Sequence, residues 1–168
     1  MPKLTRRIGI VVISRPPVTR WGKRGFAPYA VLPDVPVTVP GTRLTASEEG
    51  VETWYAGDHS LTLHSGETTH YRNNLIGKPS IWVAMRPDDM SAITAVSADP
   101  YEGEGLATDP GLVVEALAMP ADLQAWMRGF IGMYHVEHAF KKRKRKPADP
   151  DALVRGGKRI LDKDETLP

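Results

Sequence analysis

Cysteine is absent from the 168 residues. That excludes disulfides, thiolate metal sites, iron–sulfur ligation and any cysteine nucleophile or persulfide carrier. Long apolar runs are missing as well. The longest, Ile8 to Ile13, covers six residues and includes Gly9, against the roughly 18 that a membrane-spanning helix needs. The stretch after the basic start Lys3–Arg7 is too short for a secretory signal, so a cytoplasmic protein is expected. No G-x-S-x-G elbow, no G-x-x-x-x-G-K-[ST] loop and no G-x-G-x-x-G leading into a helix is present. Gly103-Glu104-Gly105 is acidic and would repel a phosphate. A non-catalytic protein without a cofactor is therefore expected.

Acids are missing from the first 24 residues, which carry seven bases. Residues 25–140 reverse this with fifteen acids against five bases, and residues 141–168 return to ten bases against five acids. The formal net charge of +2 thus conceals an acidic body with two basic ends. Length alone implies one domain. It is read as residues 1–140, a β-rich unit ending in a helix, followed by a basic, flexible tail at 141–168.

Strand signals dominate. Arg7–Ile13 is β-branched and stopped by Pro16-Pro17; Phe26–Pro33 is extended, with Pro28 marking an edge. Residues 34–50 read as a long polar connection. Val51–Ala56 and His59–His64 read as a hairpin about Gly57-Asp58. Thr69–Leu75 reads as a short polar strand or loop, and residues 99–105 as an acidic loop. Ser80–Arg86, Ala92–Ser97 and Leu112–Leu117 complete the set. One amphipathic helix follows Pro120, with Leu123, Trp126, Met127, Phe130, Ile131 and Tyr134 at three- and four-residue spacing. The fold class is mainly β (α+β): a small antiparallel barrel or bent sandwich of six to seven strands with one C-terminal helix. A pleckstrin-homology-like barrel has this order of elements, an analogy that carries no function.

Candidate contacts follow from charge and exposure. Lys141, Lys142, Arg143, Lys144, Arg145 and Lys146 are six consecutive cations that read as a solvated helix terminus, or as a contact for an acidic protein, an anionic membrane surface or phosphates. No aromatic residue interrupts the run to stack bases, which favours protein over nucleic acid. Trp54, Trp82 and Trp126 fall in regular elements, as core or subunit-interface anchors do. Trp21 lies in a basic Pro/Gly-rich loop beside Arg20, Lys23 and Arg24, a composition found at interface hot spots, although burial against the barrel is the expectation for it. Tyr101 and Glu102 offer a second contact in the acidic loop. His135 and His138, three residues apart, could share a helical face, and His59, His64 and His70 could join them only through the fold; the spacing is not that of a zinc motif and no metal site is expected. An unpaired sheet edge is compatible with a homodimer.

Several segments resemble an uncharacterised bacterial family of unknown function. They are Phe26–Pro33, Glu67–Leu75, Pro79–Val83, Ser97–Glu102 and the helix start at Met119-Pro120 followed by the Lys/Arg run, together spanning residues 7–146. Members of that family are encoded beside formate dehydrogenase and molybdenum-cofactor genes. The resemblance brings no catalytic residue. It implies a small accessory factor for assembly or maturation of a formate dehydrogenase, with a dehydrogenase subunit or cofactor-insertion factor as partner. A nucleic-acid-binding regulator acting through 141–146 is the alternative, and a small-ligand-binding barrel or enzyme is the third reading.

Overall fold

The computed structural model describes residues 1–139 and 141–143. Every regular element lies within one compact unit, Met1–Val136. Strands β1 (Lys3–Arg15), β2 (Gly25–Leu32), β3 (Thr42–Ala46) and β4 (Glu52–His64) form an antiparallel sheet in the order β2-β1-β4-β3. A 3₁₀ turn at Ser65–Glu67 leads into helix α1 (Thr68–Ile76). Strands β5 (Ser80–Met85), β6 (Ile93–Ser97) and β7 (Val113–Ala118) make a second antiparallel sheet, β6-β5-β7. Helix α2 (Pro100–Leu106) connects β6 to β7, and α3 (Ala121–Tyr134) follows β7. Among the described residues no helix is long and apolar enough to cross a membrane.

The fold is mainly β with helices, in two sheets. Seven strands match the expected number, but the sheet does not close into a barrel. The reason lies at its edges. All five residues of β3 are exposed, and it pairs only with Glu52–Tyr55 of β4. At the opposite edge β2 carries Pro28, which has no N–H to extend a ladder. Nor is there a single C-terminal helix: α1 and α2 interrupt the run of strands, so the pleckstrin-homology-like order does not hold. The hairpin expected at Gly57-Asp58 is one continuous strand of 13 residues. Gly57, at φ +124°, forms a bulge there: Ile10 faces Gly57, Val11 faces Tyr55, and Ala56 is the extra residue.

β1 is the central element. Ile8 to Ser14 are all buried, because both faces of the strand are covered. Ile8, Ile10 and Val12 enter the main core with Leu61, Leu63, Ile81, Val83, Met85, Leu123, Met127 and Phe130. Each such side chain contributes on the order of 1.5–3 kcal/mol through removal from water. On the other face Val11 pairs with Tyr55 and Ile13 with Thr53. The connection after β2 lies against this outer face. Pro36 sits against Gly9, where a Cβ would come within 3.2 Å, and Pro40 sits against Gly57. The helix after Pro120 follows the periodicity as far as Ile131: Leu123, Met127 and Phe130 are buried, and Trp126 and Ile131 pack beside them, whereas Tyr134, the last residue of the helix, is exposed.

Candidate functional site

Helix α1 has no apolar stripe, yet one face of it is buried. The residues that go inside are Thr68, Tyr71 and Asn74, spaced three apart. Tyr71 packs edge-on against Phe130, with ring centroids 6.4 Å apart, and its hydroxyl accepts the His64 backbone N–H at 3.0 Å. Burial pushes the Tyr71 phenol up, and the nearby carboxylates of Asp99, Glu67 and Glu102 push the same way against the His64 bond. Asn74 is a fully engaged connector. Its amide donates to the Ser80 and Ala98 carbonyls, both at 2.8 Å, and its oxygen accepts the Ser80 N–H at 2.9 Å. These bonds fasten α1 to the start of β5 and the end of β6.

The exposed side of α1 then faces the start of α2. Asp99 caps α2, its Oδ1 accepting the Tyr101 N–H at 2.9 Å, and Pro100 occupies the first turn. The Asp99 N–H donates in turn to Ser97 Oγ at 3.0 Å. The other Asp99 oxygen, Oδ2, lies 2.8 Å from His70 Nδ1. Glu67, one turn before His70, brings Oε2 to 2.8 Å from the same nitrogen. The Tyr101 ring rests on the imidazole with centroids 4.5 Å apart, and the Ser97 hydroxyl donates to Glu102 at 2.6 Å. Gly103 lets α2 approach β5, since a Cβ there would fall 2.1 Å from the Trp82 ring.

Tyr101 and Glu102 are therefore on a helix and form part of this junction; they are not in a flexible acidic loop. Glu67 and Asp99 are not singled out by the sequence, and His70 is read there, with His59 and His64, as a histidine that could meet a metal only through the fold. Two signals were available: the Glu-x-x-His spacing, and Asp-Pro as a cap followed by a first-turn proline. His135 and His138 do not share a helical face, because α3 ends at Tyr134 and His135 is already extended. His135 instead pairs through Nδ1 with Thr68 Oγ1 at 3.1 Å.

Trp21 lies elsewhere, on the β1–β2 loop, and the hydrogen bonds and ring contacts of Tyr101 and Glu102 do not reach it. Trp21 is not buried against the sheets as expected: it is 89% exposed, at the tip of a loop where Val18 is fully exposed too. Arg20 lies over the indole, 5.7 Å from the ring centroid. The base of the loop is fixed by Arg24, which donates to Ser14 Oγ at 3.0 Å and to the Gly50 carbonyl at 2.9 Å. Beside it a groove of about 390 Å³ is lined by Lys23, Arg24, Gly25, Pro87 and Asp88. Of the basic run, Lys141, Lys142 and Arg143 are exposed and outside regular structure, in the unit Glu137–Pro168. Lys144, Arg145 and Lys146, with the rest of the tail, lie outside the described residues.

No curated protein and no solved structure matches the chain. One family model does, over residues 7–145: a protein of unknown function, DUF3305. The match covers both sheets apart from the first four residues of β1, and most of the chain, which therefore belongs to the DUF3305 family.

Proposed function

We propose that this protein is a non-catalytic cytoplasmic accessory factor that acts by docking on another protein through the β1–β2 loop. The supporting observation is Trp21, a large indole held in water at the tip of a loop whose base is pinned by Arg24. An exposed aromatic on a pre-ordered loop loses little conformational freedom on binding, and tryptophan and arginine dominate interface hot spots. Arg20 over the indole and Lys23 two residues on suit a partner surface that is apolar at its centre and acidic at its rim. The run Lys141–Lys146 is the second contact in this reading. The partner proposed is a formate dehydrogenase subunit or a cofactor-insertion factor, on the strength of the family resemblance. The chain would hold or position that partner. It has no cysteine with which to carry sulfur to a cofactor.

Affinity purification from the native host, with mass spectrometry, tests this. Three forms are compared: the full chain, Trp21→Ala, and a chain truncated after Phe140. Recovery of a dehydrogenase subunit or insertion factor by the full chain, reduced in both variants, is the expected result. Recovery of nucleic acid and ribosomal proteins alone, abolished by salt, would replace this reading with that of a nucleic-acid-binding regulator.

A further inference from the structure

We propose that Glu67, His70 and Asp99 form a binding site for a divalent transition-metal ion of the zinc type. The three donor atoms come from two elements, 29 residues apart between His70 and Asp99, and all lie within 4.8 Å of one another. Two features separate this cluster from an ordinary acidic patch. One is the imidazole nitrogen at its centre. Nδ1 carries at most one hydrogen, yet two carboxylate oxygens each stand 2.8 Å from it. A single N–H cannot point at both, so the second carboxylate is left facing a nitrogen with nothing to bind. The other feature is the missing counter-charge. Glu67, Asp99 and Glu102 gather here, and among the described residues none of them pairs with a lysine or arginine. A divalent cation resolves both, taking the nitrogen lone pair and one oxygen from each carboxylate.

The donor set suits a borderline metal, since imidazole with carboxylates binds zinc and its first-row neighbours. The geometry is close. Bonds of about 2.0–2.1 Å in a tetrahedron place donor atoms roughly 3.3 Å apart, so each nitrogen–oxygen separation needs to open by about half an ångström. Glu67 and His70 are only partly buried, their side chains 43% and 33% exposed, so small torsional changes achieve this. Asp99 is the fixed member: it is 8% exposed, and its oxygens divide the work, Oδ1 capping α2 and Oδ2 facing the site. Three protein ligands leave a fourth position open toward solvent, as in sites that accept water or an external ligand. The Tyr101 ring lies against the imidazole at a 48° tilt, with centroids 4.5 Å apart, and covers one side of it.

The test uses the full chain without a polyhistidine tag, titrated calorimetrically with Zn²⁺ and spectroscopically with Co²⁺. The expected result is saturable binding of one equivalent, with visible d–d absorption for the cobalt form. His70→Ala, Glu67→Gln and Asp99→Asn should each weaken binding by about tenfold or more, whereas His138→Ala should leave it unchanged. Asn caps a helix as well as Asp does, and Glu67 touches only His70 in the cluster, so Asp99→Asn and Glu67→Gln remain informative if His70→Ala fails to fold. Absence of saturable uptake by the wild-type chain would overturn the proposal. So would uptake that persists undiminished in Glu67→Gln and Asp99→Asn.

Discussion

Two glycines in one short helix should respond in opposite directions to the same substitution. Gly103 is buried against β5, and a Cβ there would lie 2.1, 2.3 and 2.6 Å from three atoms of the Trp82 indole. Carbon atoms in good contact sit about 3.5–4.0 Å apart, so helix and ring must separate by more than an ångström. The indole is rigid, and α2 is tied at its start by Asp99 and at Glu102 by Ser97, so little of that movement is free. Overpacking of this kind costs about 3 kcal/mol at the upper end of its usual range, and the better helix propensity of Ala returns about 1. Gly103→Ala should therefore lose about 2 kcal/mol. Gly105 has nothing within 4 Å of its would-be Cβ, so Gly105→Ala should gain up to about 1 kcal/mol. At roughly 2–4 °C per kcal/mol for a domain of this size, thermal unfolding should show a fall of about 4–8 °C for the first and a small rise for the second. Equal shifts in the two variants would refute the packing of α2 on Trp82.

Three further outcomes follow. Asn74→Ala strands the Ser80 N–H and the Ser80 and Ala98 carbonyls inside the fold. Each unmet group costs about 1–3 kcal/mol, so a loss of about 3–5 kcal/mol is expected in denaturant unfolding, and a loss under 1 would mean these groups find other partners. The Asp58 carboxyl is held below its usual range, chiefly by its hydrogen bond to Arg7. A depressed folded value stabilises above the unfolded carboxylate pKa and is lost as pH falls through the folded value. Wild type should then exceed Arg7→Ala in stability near neutral pH and converge with it in acid; a gap that stays constant with pH would contradict this. Trp21→Ala should leave the unfolding midpoint unchanged, because the indole buries almost nothing within the chain.

What the sequence discloses follows the kind of residue each element buries. β1 and α3 bury Ile, Val, Leu, Met and Phe at regular spacing, and both are legible from hydrophobic pattern. α1 buries Thr68, Tyr71 and Asn74, a helical period carried by polar groups, so a search for apolar stripes passes over it. α2 contains Gly103 and Gly105, which argue against a helix until Trp82 supplies the reason for the first. Gly57 signals a departure from regular strand, and sequence alone does not distinguish a bulge from a turn. β3 buries nothing and leaves no pattern to detect. The Glu67–His70–Asp99 cluster was hidden for a related reason. Glu67 closes the turn before α1, His70 lies on α1 and Asp99 caps α2, and neither helix has a hydrophobic signature, so nothing in the sequence brought Asp99 to His70.

The central claim is that the Trp21 loop meets a protein partner, and site-specific photo-crosslinking in the native host tests it most directly. A photoreactive phenylalanine analogue would replace Trp21 in one strain and Ile76 in another, Ile76 being an exposed apolar residue at the end of α1. A discrete crosslinked species containing a dehydrogenase subunit or insertion factor is expected from position 21, and none from position 76. No adduct at position 21, or the same adducts from both positions, would contradict it.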